Sequence, residues 1–92
     1  MMRSIKTTKS FRKHLKKYQN SQKILAELKK VLFLLQKEKK LPEKYREHQL
    51  KGYYADFLEC HIFPDVLLLY RFLPEENILL LRDIGSHSEL FS

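Results

Sequence analysis

The chain has one cysteine, two glycines, three prolines and no tryptophan among its 92 residues. A single thiol, Cys60, forbids an internal disulfide, so packing must hold the fold, and a reducing compartment suits it. The shortage of glycine excludes collagen-like and low-complexity chains, and there is no glycine-rich phosphate loop or internal repeat. No uncharged run approaches the ~20 residues that a membrane span requires. The N-terminal Met1-Met2-Arg3-Ser4-Ile5-Lys6 lacks the apolar core of a secretion signal, so a cytoplasmic protein with no membrane association is expected.

Negative charge is the other scarcity. Eleven Asp and Glu face 18 Lys and Arg, a formal net charge of +7 and a pI of about 9.6. The resulting field draws in anions: nucleic acid first, an acidic protein second, an anionic membrane third. A hydrophobic fraction of 43% excludes general disorder. The length makes one domain, residues 1–92, because such a chain buries only roughly 60–65% of its unfolded surface and cannot build a second core.

Met2 to Lys6 is compatible with an edge strand in which Ile5 points inward. Thr8 is a plausible N-cap, and Phe11, Leu15 and Tyr18 then recur with helical spacing, with Arg12, Lys13, Lys16 and Lys17 on the other face and His14 at the surface. Ser21 caps a second helix whose Ile24, Leu25, Leu28, Val31, Leu32 and Leu35 form a stripe ending near Lys37, before Leu41-Pro42. After Gly52 the period changes to two. Tyr53 to Ile62 alternates, Val66 to Leu73 is nearly all apolar, Pro74-Glu75-Glu76-Asn77 turns back, and Ile78 to Ile84 makes a further strand. Helices first and an antiparallel meander afterwards predict an α+β domain, two N-terminal helices packed on one face of a twisted antiparallel sheet and the other face left available.

Three of the four histidines lie in the second half, His61 and His87 at the ends of apolar runs. Cutting RNA without a metal requires a base for the 2'-hydroxyl proton, stabilisation of the phosphorane and an acid for the departing 5'-oxygen. Imidazole serves both proton transfers near neutral pH, and a carboxylate such as Asp65 can orient a ring or act as base. Each residue also has a plainer role. A histidine at a strand end is usually just hydrogen-bonded or solvated, Asp65 after Pro64 is a natural turn residue, and Glu59 and Glu89 carry no stronger signal. Cys60, His61, His48, His87 and Asp65 are competent metal ligands, but adjacent Cys60 and His61 point to opposite sides of a strand and no CxxC, HxxxH or HExxH pattern exists; no metal and no cofactor is expected. Cys60 fits a small buried position. Lysines such as Lys51 can follow a phosphate backbone, and Tyr53, Tyr54, Phe57 and Phe91 can stack on bases.

As a set, His48-Gln49-Leu50-Lys51-Gly52, then Glu59-Cys60-His61-Ile62-Phe63-Pro64-Asp65-Val66-Leu67-Leu68-Leu69-Tyr70, then Gly85-Ser86-His87-Ser88-Glu89-Leu90-Phe91, resemble the YafQ branch of the RelE/ParE toxin superfamily over almost the entire chain. The resemblance implies a microbial-RNase-like α+β fold and an mRNA interferase, the toxin of a type II toxin-antitoxin pair that cuts messages in the ribosomal A site. It implies His48, His61, Asp65 and His87 as catalytic residues and Phe91 as a ring that places the substrate. Its expected partners are a cognate antitoxin, mRNA and the ribosome, with promoter DNA bound only through the antitoxin complex. One departure stands out. Related toxins often carry an arginine four residues before the final histidine, where this chain has Asp83, with Arg82 one place earlier. Arg82 can substitute only if a bulge reorients it; otherwise phosphate stabilisation falls to Arg71, a lysine or a protonated histidine. Two rivals remain: a non-catalytic RNA- or ribosome-binding protein, separable by product ends, and a ParE-like gyrase inhibitor, disfavoured by the joint presence of His48, His61, Asp65 and His87.

Overall fold

In the computed structural model, which describes residues 2–91, both expected N-caps are in place. The Thr8 hydroxyl accepts the Phe11 amide at 3.0 Å and starts α1 (Lys9–Leu15); the Ser21 hydroxyl accepts the Ile24 amide at 3.3 Å and starts α2 (Gln22–Gln36). Between them the chain tightens into a 3-10 turn, Lys16–Tyr18, so the first α-helix is shorter than its apolar spacing implied. The end of α2 is a Schellman motif: Lys39 N–H donates to the Leu34 carbonyl at 2.9 Å and Glu38 N–H to that of Leu35 at 3.2 Å. The left-handed position of this motif, φ +59°, is held by Glu38 where glycine is the usual occupant.

Five strands form one sheet in the order β1 (Ser4–Thr7), β5 (Ile78–Gly85), β4 (Val66–Leu73), β3 (Leu58–Phe63), β2 (His48–Gln49). The meander β3–β4–β5 is antiparallel as expected, whereas β1 joins β5 in parallel, Ser4 opposite Ile78 and Thr7 opposite Leu81, so the sheet is mixed. Parallel neighbours need a long crossover, and the helices lie in the chain between them. Ile5, expected to point inward, stays 39% exposed because β1 is the outermost strand. The strand expected over 53–62 begins only at Leu58. Gly52 at φ +66° starts a 3-10 turn, Gly52–Tyr54, and Leu50 N–H closes the loop onto the Phe57 carbonyl at 3.0 Å.

Cys60, Ile62, Leu68, Tyr70, Leu79, Leu81 and Ile84 form the helix-facing side of the sheet and pack with Phe11, Leu28, Val31 and Leu35 in one core. Alternation sends Glu59, His61, Leu67 and Leu69 to the other face. That face is only partly open, since Leu67 and Leu69 are buried. Gly85 pairs with Leu67, and a Cβ added there would lie 3.1 Å from Glu89 Oε1 and 3.5 Å from Leu90, so a short helix α3 (His87–Phe91) closes over this end of the sheet.

A bulge interrupts β4–β5: Leu69 pairs with Asp83 and Tyr70 with Leu81, leaving Arg82 as the extra residue. Asp83 turns to α1, accepting from Ser10 Oγ at 2.9 Å and lying 2.6 Å from His14 Nδ1. His14 is therefore not the free surface residue expected but a half-buried partner joining α1 to β5.

Candidate active site

The C-terminal motif builds its own support. Ser86 Oγ accepts the Glu89 amide at 3.2 Å while Glu89 Oε1 accepts the Ser86 amide at 2.8 Å, a reciprocal capping box that sets His87 as the first residue of α3. The other oxygen of Glu89 pairs with Lys17, tying α3 to the turn after α1. Glu89 is thus a structural residue. Phe91, one turn on, packs its ring 5.1 Å from that of His87 and edge-to-face on Tyr54 at 5.4 Å.

His48 arrives on a two-residue strand held by the core. The fully buried Tyr70 donates its hydroxyl to Glu47, the residue before His48, and burial, followed by the charges of Cys60 and Glu47, drives the phenol far above its ordinary range. Burial likewise pushes the Cys60 thiol up to about 12, with Glu47 adding to it, so Cys60 is the inert core residue expected. A second such anchor joins Tyr45 to Glu27: burial and this hydrogen bond push the phenol up to about 12, and the same bond, with Lys30 and Lys44, lowers the Glu27 carboxyl.

At the centre stands Glu59, 4% exposed. Its Oε1 lies 3.4 Å from His48 Nε2 and 3.6 Å from His61 Nε2, and the two rings are 6.4 Å apart. The spacing follows from register: His48 pairs with Glu59 across β2–β3, and His61 is two residues along the same face. His48 Nδ1 lies 3.0 Å from the Arg46 carbonyl, which places the proton on Nδ1 in the neutral ring and leaves Nε2 as the accepting atom. A proton taken up at either Nε2 creates a cation facing a carboxylate oxygen.

Two grooves flank this group. One, of about 210 Å³, is lined by His48, Leu50, Lys51, Tyr54, Glu59, His87 and Phe91. The other, of about 380 Å³, lies beyond His61 and is lined by Glu27, Lys44, Tyr45, Arg46, His61, Ile62, Phe63 and Pro64. The structure thus brings His48, His61, His87, Lys51 and Phe91 into one region. It does not join Asp65 to His61. Asp65 is exposed at the β3–β4 turn with no hydrogen bond or ion pair among the described residues, and its charge reaches Tyr18, whose phenol is raised by burial and then by Asp65. The contact to the rings expected of Asp65 is made by Glu59. Tyr53 is 90% exposed, its ring on that of Tyr54. Arg71 lines neither groove: its guanidinium lies 5.7 Å from the Phe57 ring and its buried Nε has no hydrogen-bond partner among the described residues. Arg82 sits in the bulge its role would need and makes no ion pair among the described residues.

Sequence reasoning underrated Glu59, while Tyr54, one of its candidate stacking rings, does line the groove with His48 and His87. The one signal for Glu59 was its place on the His61 face of an otherwise apolar strand. No group of three or more His, Cys, Asp or Glu side chains is arranged to hold a metal ion, and no helix is long and apolar enough to cross a membrane, among the described residues.

Comparison with known proteins agrees with this architecture. The sequence model of the family described as "Bacterial toxin of type II toxin-antitoxin system, YafQ" matches residues 3–92. The mRNA interferase toxin YafQ of Escherichia coli K12 is 28% identical over 92 residues, 99% of this chain and 98% of that one. A metal-bound toxin from Helicobacter pylori superposes with a TM-score of 0.90 at 47% identity, covering 98% of this chain and all of the other. YafQ in the E. coli DinJ-YafQ toxin-antitoxin complex superposes with a TM-score of 0.85 at 28% identity over the full length of both. This chain, with His48 and His61 on Glu59 and His87 in the adjoining groove of a RelE-like sheet, belongs to the YafQ family of bacterial toxins of type II toxin-antitoxin systems.

Proposed function

We propose that this toxin is an mRNA interferase, an endoribonuclease that enters the ribosomal A site and cuts the message by acid-base chemistry. The observation that carries the reading is the shared carboxylate: His48 and His61 both aim Nε2 at Glu59, beside a groove that also holds His87 and Phe91. Nε2 of His48 or His61 takes the 2'-hydroxyl proton, the 2'-oxygen bonds to phosphorus, the bond from phosphorus to the 5'-oxygen breaks, and His87 gives that oxygen a proton. The products are a 2',3'-cyclic phosphate, or its opened 3'-phosphate, and a 5'-hydroxyl. Glu59 stabilises the imidazolium formed at the base. Asp65, without a hydrogen bond or ion pair among the described residues, offers its carboxylate to the substrate.

Lys51 is the cation that lines the groove with His48 and His87, and it takes the phosphorane charge in place of the arginine that Asp83 replaces in this chain. Arg71 and Arg82 contribute through the surrounding field. Phe91, backed by Tyr54, supplies a stacking ring, with the exposed Tyr53 beside them. Side chains of this protein account for each proton transfer, and no metal or other cofactor is given a step. The relative's name as an mRNA interferase and the DinJ-YafQ complex support a matching activity and a cognate antitoxin as partner, with promoter DNA bound through that complex. The site of action is the cytoplasm.

Primer extension on mRNA in a purified translation system tests the reading, comparing the native toxin with His87→Ala and with ribosomes omitted. Cuts within codons that need both ribosomes and His87 are expected, with His87→Ala slowing cleavage about 10²- to 10⁴-fold. Stalled ribosomes on intact message would replace it with a binding inhibitor.

A further inference from the structure

His61 stands at the boundary of the two grooves, and the chemistry proposed above uses only one of them fully. An RNA strand has a nucleotide on each side of the scissile phosphate. The leaving nucleoside lies next to the acid, His87, and so in the smaller groove against Phe91 and Tyr54. The nucleotide bearing the attacking 2'-hydroxyl must lie on the base side, toward His61.

We propose that the groove of about 380 Å³ beyond His61 is the seat of this upstream nucleotide, and that Arg46, aided by Lys44, holds the phosphate on its 5' side. This rests on the ribonuclease reading. The volume is of the order a single ligand moiety fills, since ligand pockets start at about 300 Å³. The lining suits a nucleotide: Phe63 and Pro64 supply apolar groups, and Arg46 and Lys44 supply cations. The one acid there, Glu27, is already engaged by the Tyr45 hydroxyl, by Lys44 at 3.6 Å and by Lys30 at 3.9 Å. Arg46, exposed, makes no ion pair among the described residues, so its guanidinium is available to an anion. Its left-handed backbone, φ +50°, closes the turn whose carbonyl fixes His48 Nδ1, which ties the phosphate ligand to His48 by two residues of chain.

The test is a cycle between protein and substrate. Native toxin and Arg46→Gln are compared on ribosome-bound mRNA carrying either ordinary phosphates or one neutral methylphosphonate, placed one phosphate upstream of the cut. The methylphosphonate should lower kcat/KM of the native toxin by about tenfold, Arg46→Gln should lower it similarly, and the two together should cost little more than either alone, as expected of partners in one contact. With Arg46→Gln unaltered in thermal melting, multiplicative losses, or full activity of the native toxin on the neutral linkage, would overturn the proposal. A variant that cuts normally but no longer binds the antitoxin would also overturn it and assign the groove to that protein. His87-dependent cleavage of ordinary mRNA in the same assay reports on the ribonuclease reading independently.

Discussion

Replacing Glu59 by glutamine keeps the shape of the side chain and removes its charge. The carboxylate oxygen lies 3.4 and 3.6 Å from the two Nε2 atoms. At an effective dielectric constant of about 20, a unit charge pair at that distance is worth roughly 5 kcal/mol. His48 is half exposed, and solvent screens part of this. Taking about half, the imidazolium formed in the transition state loses about 2–3 kcal/mol, so the cleavage step slows roughly 30- to 150-fold. Stability moves the other way. A buried carboxylate is costly to desolvate, so replacing it by the neutral amide should stabilise the fold by about 1 kcal/mol, or roughly 4–8 °C in Tm. Single-turnover cleavage on programmed ribosomes and thermal denaturation of the same samples check both. Cleavage within threefold of native would refute the role given to Glu59, and a joint loss of activity and Tm would reduce it to a structural residue.

Glu38→Gly should relieve the left-handed strain at the end of α2 and lose only an exposed pair to Arg3 at 3.3 Å. A gain of about 0.5–1 kcal/mol in urea unfolding is expected after the entropy cost of glycine, and a loss would contradict the Schellman assignment. Alkaline stability should fall. The Cys60 thiol rises from 9.0 to about 12 on folding, so the unfolded chain binds fewer protons between these values; stability is intact below about pH 9 and declines above it. Cys60→Ala should remove up to ~1.4 kcal/mol per pH unit of that slope in unfolding curves recorded from pH 8 to 11, and an unchanged slope would place the titration elsewhere. Gly85→Ala puts a methyl 3.1 Å from Glu89 Oε1, disturbing the capping box beneath His87. It should cut kcat by up to about 10-fold with a Tm change of only a few degrees, because a small displacement of His87 costs reaction geometry more than it costs folding; native kcat would show that α3 tolerates the shift.

The motifs in the second half were legible because each needs only local spacing. His61 and Glu59 share a face by strand alternation, whereas the capping box of Ser86 and Glu89 went unread although the two are three apart as it requires. The caps at Thr8 and Ser21 and the apolar stripe of α2 were legible for the same reason. Asp65 was paired with the rings because it is close to His61 in sequence, but it is exposed in the β3–β4 turn and the carboxylate beside His61 is that of Glu59. His14 looked like a surface residue because its partner Asp83 is 69 positions away.

The sequence by itself determined the two main helices, the meander strands, the basic field and the histidine-bearing motifs, since periodicity, capping and charge are properties of neighbouring residues. Only the tertiary structure decided that β1 lies parallel to β5, that a bulge frees Asp83 for α1, and that one buried carboxylate serves two histidines. Each of these depends on strand register or on contacts between distant segments, and those are selected by the packing of the whole core rather than by any local pattern.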